Sequence, residues 1–397
     1  MPHNQQRQRR KDDTPRRFFP CHLILTCCGI LFFCLLPTST TAANKPLETI
    51  RLQLKWQHQF QFAGYYAALE QGYYQQAGLD VIIQEATESD ESASKVISGV
   101  ADFGIAMSDL VLQRIQGAPV VALATIYQHS PLVFLSPKET GIGSIHDLVG
   151  KKVMLEAHAE ELLAYLESEG LSPTQLNILP HTFNADHLIS GSVDAISAYS
   201  TDEPYILAEQ GVDYNVFSPR SVGIDFYGDT LFTTEKYLQQ HPERVKAFLQ
   251  ATVKGWEYAL KNPAAIIDLI LAKYSTRHSR EHLQFEAQES QKLILPEIVE
   301  IGYMNPGRWQ NIAEIYASQG EIPEDFSLDG FLYEKNPLPD LTRLYFILVG
   351  VFGVLSIAVL IALRFFSLNN ALKRQIVHRQ EAEKQLHEEQ RTLSVLM

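Results

Sequence analysis

Cysteine is confined to one short stretch of this 397-residue chain. Cys21, Cys27, Cys28 and Cys34 lie in an apolar segment near the N-terminus, and no cysteine follows them. The remainder of the chain therefore has no thiol for a disulfide, a thiolate metal site or a cysteine nucleophile.

Positive charge is also scarce beyond the N-terminus. The formal net charge is −13, although the first twenty residues contain six Arg or Lys and only two Asp. The rest of the chain therefore carries about −17, and a surface this acidic repels phosphate backbones. We expect no nucleic-acid partner.

Glycine-rich phosphate loops and metal-type histidine spacings are missing as well. The segment 141–143 (Gly-Ile-Gly) lacks the third glycine and the preceding strand of a dinucleotide-binding loop, so we interpret it as a turn. Four histidines are scattered without a metal-type partner and are interpreted as surface residues: His146, His158, His181 and His187. We expect no metal and no cofactor.

The N-terminal segment has the pattern of an export signal. Basic residues between Arg7 and Arg17 precede an apolar run from Phe18 to Leu36. Thr41 and Ala43 suit a cleavage site, which makes residues 1–43 a signal peptide. The apolar run is also near the length of an uncleaved anchor, and this alternative stays open.

A second apolar segment, Leu344–Leu363, is predicted to form a transmembrane helix. Its twenty residues carry no charge and are long enough to cross about 30 Å of hydrocarbon. Four Arg or Lys follow between Arg364 and Arg379, so the positive-inside rule places residues 364–397 in the cytoplasm. Residues 44–343 then lie in the periplasm of a bacterial inner-membrane protein with one or two passes.

Strand-like and helix-like pieces alternate between residues 48 and 335, which is typical of α/β domains. Thr49–Trp56 and Leu79–Glu85 alternate like strands, with a helix-like piece between them. Ser108 and Asp109 follow a short buried strand and are expected to cap a helix. From Tyr227 onward the pattern predicts long helices at 242–260, 263–272, 280–293 and 308–319.

Three stretches carry a resemblance to a known family. They are 54–68 (LKWQHQFQFAGYYAA) with 72–81 (GYYQQAGLDV), 197–205 (SAYSTDEPY) and 223–232 (GIDFYGDTLF). They resemble the periplasmic binding proteins of the thiamine-pyrimidine-precursor type, which are related to the fungal thiamine pyrimidine synthases and to sulfonate and nitrate ABC-binding proteins. The resemblance covers roughly residues 48–335.

The resemblance implies an α/β, two-lobed periplasmic binding protein (type II) fold with a doubly wound sheet in each lobe. The solute-binding domain would cover 44–338, with lobe 1 at about 48–135 and 225–335 and lobe 2 at about 136–224. One transmembrane helix (344–363) and a short cytoplasmic helical linker (364–397) would follow. Ligands of such folds bind between the lobes, at the carboxyl ends of strands.

Candidate ligand-binding residues cluster where these strands end. Trp56 can form a wall for a flat ring, and Glu203 can accept hydrogen bonds from an aminopyrimidine edge. The family usually has Asn-Glu-Pro there, whereas Asp202 precedes Glu203 here. The predicted set is Trp56, His58, Gln59, Phe60, Tyr65, Ser108, Asp109, Glu203, Asp225, Tyr227 and Asp229.

Simpler interpretations stay open for part of this set. Phe62 and Tyr66, one helical turn apart, suit the core, and Ser108 and Asp109 suit plain helix capping. We predict no catalytic residue, because the synthases carry a cysteine-rich iron motif that this chain lacks after Cys34.

The C-terminal segment 365–397 favours a helix with only a weak heptad pattern. Such helices relay signals in sensors, where a homodimer and a downstream PAS, histidine kinase or diguanylate cyclase module are expected. We therefore predict a membrane-tethered sensor of a small molecule, with a thiamine pyrimidine precursor or a similar ring compound as its expected ligand. The alternatives are the binding component of an ABC importer, with an ABC permease as partner, and a synthase-like enzyme of thiamine biosynthesis.

Overall fold

The computed structural model describes residues 46–86, 91–335 and 341–396. The predicted signal peptide or anchor and all four cysteines lie outside these residues. The chain divides into two compact units, one ending at Leu332 and the other beginning at Tyr333.

The first unit alternates strands and helices, as the sequence predicts. Its described strands are β1 Glu48–Gln53, β2 Leu79–Gln84, β3 Phe103–Ala106, β4 Val120–Thr125, β5 Leu132–Pro137, β6 Lys152–Leu155, β7 Asn177–Pro180, β8 Ala195–Tyr199, β9 Tyr214–Phe217 and β10 Thr230–Thr234. Its described α-helices are α1 Ala63–Glu70, α2 Tyr73–Gln76, α3 Ser92–Ile97, α4 Leu110–Ile115, α5 Glu160–Ser168, α6 Asp186–Ile189, α7 Glu203–Glu209, α8 Glu235–Gln240, α9 Pro242–Lys261, α10 Pro263–Leu269, α11 Arg280–Ile294 and α12 Pro306–Ser318.

The strands form two five-stranded sheets, each the centre of one lobe. The first sheet has the order β2-β1-β3-β10-β4, and the second has the order β7-β6-β8-β5-β9. Both are mixed, because β10 runs antiparallel to β3 and β4, and β5 runs antiparallel to β8 and β9. Each of the expected doubly wound sheets therefore contains one antiparallel strand.

The chain crosses between the sheets twice, once between β4 and β5 and once between β9 and β10. The long helices predicted after Tyr227 begin at residue 242, and the sequence analysis missed β10, which precedes them. All five residues of β10 are buried, so its sequence (TLFTT) lacks the polar alternation that marks a half-exposed strand. The predicted lobe boundaries stay predictions, and the one at 135 divides β5.

Two contacts fix the helices that flank the first sheet. Helices α1 and α9 approach closely at Gly64 and Gly255, where an added Cβ on Gly255 would lie 2.1 Å from the Gly64 carbonyl oxygen. Helix α11 is fastened by Glu286, whose two carboxylate oxygens accept the backbone N–H groups of Phe60 and Gln61 at 2.9 and 2.8 Å. The segment that follows β1 is therefore held to α11.

The second unit contains helix α13, Thr342–Leu396. Its most apolar 18-residue window has a mean hydropathy of 3.0, and none of that window is buried. The helix is long and apolar enough to cross a membrane, as predicted for Leu344–Leu363.

Candidate functional site

A cavity of about 330 Å³ lies between the two lobes. Its walls come from the segments that follow β1 and β3 in the first lobe and β6, β7 and β8 in the second. Backbone groups and short loops at the carboxyl ends of strands are available for ligand contacts. The carboxyl ends of strands from both sheets therefore face this cavity.

Two aromatic rings from opposite lobes meet at this cavity. Trp56 follows β1, Phe183 follows β7, and their ring centroids lie 4.5 Å apart at an interplanar angle of 50°. The backbone of Phe183 has φ 56°, which is a strained conformation for a bulky side chain.

His181 holds this strained turn. The N–H of Phe183 donates to Nδ1 of His181 at 2.9 Å, and Nε2 of His181 lies 2.9 Å from the carbonyl oxygen of Ser197. Because Nδ1 accepts, the proton of the neutral ring is on Nε2. Burial lowers the pKa of His181, which favours this neutral form.

Lys55 supplies a cation to the cavity wall, but its charge is already paired. Its Nζ lies 2.9 Å from Oδ1 of Asp229 and donates to the hydroxyl of Tyr199. Asp229 also accepts from Nε2 of Gln61 at 3.0 and 2.8 Å. Lys55 thus links the first lobe to Tyr199 at the end of β8 in the second.

The remaining charge in the cavity walls is mostly acidic. Carboxyl groups come from Glu91, Asp109, Glu156, Asp202 and Glu203. Burial, and then the charge of Asp202, raises the pKa of Glu203 well above its usual range. Burial also raises the pKa of Glu156 to about 7, against the opposing effect of Lys55. Protonated carboxyls are therefore accessible here near neutral pH.

Glu203 is oriented by the backbone of β8. Its Oε2 accepts the N–H of Tyr199 at 2.8 Å, and Pro204 follows it in the first turn of α7. Because Glu203 is the first residue of a helix that starts at the cavity, its side chain cannot turn away without losing this hydrogen bond.

Asp109 does not cap α4 with its side chain, contrary to our prediction. Its Oδ2 instead lies 3.1 Å from Nδ1 of His158, which follows β6 in the other lobe. Ser108 contributes no cap either, since its hydroxyl donates to the carbonyl oxygen of Tyr227 at 2.8 Å. The helix cap was predicted from residue type alone, and long-range partners compete for both side chains.

Four of the predicted residues line the cavity, namely Trp56, Gln59, Asp109 and Glu203. Asp229 lies behind Lys55 and reaches the cavity only through it. Tyr65 is in the core against Trp256, with ring centroids 5.9 Å apart, and Phe60 is fully buried.

Three further predicted residues serve other contacts. Nδ1 of His58 lies 2.8 Å from the hydroxyl of Tyr66, and the hydroxyl of Tyr227 accepts the N–H of Asn305 at 2.9 Å. Asp225 pairs with His129 at 2.7 Å and also with Arg220 and Arg308. None of the three is among the residues that line the described cavity. Phe62 and Tyr66 are fully buried, as the core interpretation holds.

From the second lobe's part of the cavity wall, the predicted set contains only Glu203. Glu156 and His158 follow β6, and His181 and Phe183 follow β7, all at carboxyl ends. The strand-end rule was a signal that could have found them. His158 is exposed, as a surface histidine should be, whereas His181 is half-buried in the cavity wall.

A family model described as "NMT1/THI5 like" matches residues 59–266. The chain belongs to this NMT1/THI5-like family. The riboflavin-binding protein RibY of Chloroflexus aurantiacus is 29% identical over 63% of this chain and 74% of its own length. A formylaminopyrimidine-binding protein of Halalkalibacterium halodurans is 29% identical over 61% of this chain and 76% of its own length.

Solved structures agree on the fold. The alkanesulfonate-binding protein SsuA of Xanthomonas axonopodis pv. citri, bound to MOPS, superposes with a TM-score of 0.59 at 14% identity. The match covers 73% of this chain and 99% of SsuA. The first unit therefore has the predicted type II periplasmic binding protein fold, and the chain joins it to a helix that can span a membrane.

Proposed function

We propose that this chain is a membrane-tethered periplasmic sensor domain whose ligand is a thiamine pyrimidine precursor or a similar nitrogen-containing ring. The observation that carries the proposal is the position of Glu203, a carboxyl group with a raised pKa in a cavity walled by Trp56 and Phe183.

An aminopyrimidine presents a flat face and an edge with an amino donor beside a ring nitrogen acceptor. A protonated carboxyl group offers the complementary pair, because its O–H donates and its C=O accepts. The two aromatic side chains offer faces and edges for the ring. Two relatives are named for binding formylaminopyrimidine and riboflavin, and both are flat nitrogen heterocycles.

The charge of the cavity argues against a sulfonate ligand. The cations of the walls, Lys55 and His158, are already paired with Asp229 and Asp109. An anion would therefore find no free positive partner there, which disfavours its binding. The similarity to SsuA therefore extends to the fold and not to the ligand.

Binding rather than catalysis fits this site. The two relatives above are named as binding proteins, and the sequence beyond Cys34 has no cysteine for the motif of the synthases. We therefore propose no catalytic role for any residue of the cavity.

The proposed topology places the binding unit in the periplasm and the polar end of α13 in the cytoplasm, across the inner membrane. Helix α13 continues without a break from its apolar part to Leu396, which suits the relay of a change across the membrane. The proposed partners are a second copy of α13 and a PAS, histidine kinase or diguanylate cyclase module. An ABC permease is the partner under the importer alternative.

Calorimetric titration of the full chain in detergent tests the ligand. Formylaminopyrimidine, riboflavin and an alkanesulfonate are compared, and we expect one of the two heterocycles to bind with a stoichiometry of one. Glu203→Ala should weaken that binding about tenfold or more, because it removes both the donor and the acceptor of the carboxyl group. Glu209→Ala, at the exposed end of α7, is the matched control. Binding of the alkanesulfonate alone would refute the ligand class.

Crosslinking tests the relay. In a background without the native cysteines, Leu372→Cys and Ile376→Cys on α13 report the contact of two helices in membranes. Under the sensor proposal the crosslinking yield changes when the ligand is added. A yield that is zero with and without ligand would instead favour the importer role.

A further inference from the structure

A second polar cluster lies behind the cavity, where α7 and α11 meet. It consists of Asp202, His278 and His282, whose ligand atoms all lie within 4.8 Å of one another. Nε2 of His282 is 2.7 Å from Oδ1 of Asp202, and Nε2 of His278 is 3.7 Å from the same oxygen. The side chains are more than nine-tenths buried, with 5% to 9% exposure.

These atoms are left without hydrogen-bond partners. Oδ1 of Asp202, Nε2 of His278 and Nε2 of His282 are all buried and make no hydrogen bond of acceptable geometry to any described residue. An unsatisfied buried polar group costs about 1–3 kcal/mol, so three at one point form an arrangement that needs a common partner.

We propose that Asp202, His278 and His282 bind a divalent transition metal ion of the zinc class. Two imidazole nitrogens and one carboxylate oxygen form the donor set that zinc accepts, with the fourth position left open. In a tetrahedral site with bonds of about 2.0–2.1 Å, neighbouring ligand atoms lie about 3.3 Å apart. The observed separations of 2.7 and 3.7 Å bracket that spacing.

The local fold holds the two histidines for this purpose. His282 is in the first turn of α11, where its N–H donates to the capping hydroxyl of Ser279 at 3.1 Å. The ring of Tyr205 stacks on the ring of His282 with centroids 4.7 Å apart. The ring of His278 also packs on that of His282, with centroids 3.8 Å apart. The rings therefore have little freedom to turn their nitrogens elsewhere.

The same metal would join the two lobes. Asp202 follows β8 of the second sheet, whereas α11 is fastened through Glu286 to the segment after β1 of the first. An ion held by all three residues binds only the closed arrangement of the lobes and stabilises it by mass action. Asp202 also lines the ligand cavity beside Glu203, so metal and ligand should favour each other reciprocally.

Another group of possible metal ligands consists of Asp109, His158 and Glu160. It is a weaker candidate for a metal site. His158 is exposed, and its Nδ1 already has Asp109 as a partner at 3.1 Å. Metal coordination is thus assigned to the buried cluster. The sequence alone predicted no metal, because Asp202 is remote in sequence from the two histidines.

Metal retention by the full chain tests the proposal. The tag-free protein in detergent, with its four cysteines replaced by serine, is stripped with a chelator and titrated with Zn²⁺ and Co²⁺. We expect one equivalent per chain, a rise in the unfolding midpoint and visible cobalt bands typical of low coordination number with nitrogen and oxygen ligands. Replacing a residue that only hydrogen-bonds to a metal ligand typically weakens metal binding about 10- to 100-fold. His278→Gln replaces a ligand itself, so it should weaken Zn²⁺ binding by at least about tenfold.

Matched histidine variants separate the site from adventitious binding. His187→Gln and His146→Gln, both on the exposed surface, should leave the stoichiometry and affinity unchanged. Asp202→Asn gives a second variant of the site if His278→Gln does not fold. Less than a tenth of an equivalent in the parent protein, or binding that survives both site variants, would overturn the proposal.

The coupling of metal to ligand rests on the proposed function, but the metal site does not. Retention is measured without any ligand, so a protein that binds Zn²⁺ through this cluster and ignores formylaminopyrimidine would refute only the ligand class. A protein that binds the heterocycle with equal affinity in chelator and in Zn²⁺, and retains no metal, would refute only the metal site.

Discussion

Nδ1 of His158 lies 3.1 Å from Oδ2 of Asp109, and this pair joins the end of β6 in one lobe to the start of α4 in the other. The hydrogen bond to Asp109 raises the pKa of His158 to about 9, although burial opposes it. Glu160 and Glu91 also raise the pKa of this histidine. An ionisable contact between lobes makes the stability of the closed form depend on pH.

The first prediction concerns that pH dependence. The folded-state pKa of about 9 exceeds the value of about 6.5 for an unfolded histidine, so the stabilisation is complete below about pH 6.5 and is lost as pH rises through 9. Because His158 is half-exposed, solvent limits the effect to about 1 kcal/mol. Between about pH 6.5 and 9, the unfolding midpoint of His158→Gln should change less with pH than that of the parent chain. His187→Gln should keep the pH dependence of the parent chain. An unchanged slope in His158→Gln would assign the pH dependence to other groups.

A second prediction separates binding from stability at Phe183. Its φ of 56° is unfavourable for a bulky residue and natural for glycine, so Phe183→Gly relieves strain of about 1–3 kcal/mol. It also removes the ring that contacts Trp56. We expect the free energy of unfolding to stay equal or to rise, while ligand affinity falls about tenfold. Denaturant unfolding and calorimetry measure the two quantities, and a parallel loss of both would contradict the role of Phe183 as a ligand wall.

The third prediction concerns Lys55 and Asp229, whose side chains are 13% and 2% exposed. Lys55→Met leaves the carboxylate of Asp229 buried without its cation, which should cost about 3–5 kcal/mol of unfolding free energy. Adding Asp229→Asn removes the uncompensated charge, so the double variant should be more stable than Lys55→Met alone. Chemical denaturation of the parent chain, the two single variants and the double variant gives the coupling free energy between Lys55 and Asp229. We expect it to exceed about 1 kcal/mol. Additive losses would mean that the pair does not interact energetically.

Contacts like this one explain why only part of the site could be predicted from the sequence. Trp56, Gln59, Asp109 and Glu203 follow predicted strands, and the rule that α/β ligands bind at strand ends was sufficient to find them. The pairing of Lys55 with Asp229 is set by the return of the chain into β10, and no local pattern encodes it. Long-range partners of this kind also redirected Asp109 and Ser108 away from helix capping.

The fold was more predictable than the site, for a physical reason. Strands such as β1 and β2 carry their hydrophobic pattern locally, and their predicted bounds differ from the observed ones by a few residues at most. Strand β10 escaped prediction because its sequence (TLFTT) has only two apolar residues, which neither alternate nor form a longer run, so its identity depends on pairing with β3 and β4. The family resemblance implied a return to lobe 1 at about residue 225, between β9 and β10, but named no strand there.

The last prediction concerns the close approach of α1 and α9, on which the first lobe is built. A methyl group on Gly255 would lie 2.1 Å from the carbonyl oxygen of Gly64 and 2.6 Å from Cβ of Ala68. Neither neighbour is the end of a flexible side chain, so the helices must separate, which typically costs about 1–3 kcal/mol. Gly255→Ala should therefore lower the unfolding midpoint, although alanine favours a helix more than glycine does. Gly143→Ala is the control, because the nearest atom to its added Cβ is the Asp147 carboxylate at 3.9 Å. Equal midpoints for the two variants would show that the helices can separate at no cost, and that the approach at Gly255 is not a constraint on the fold.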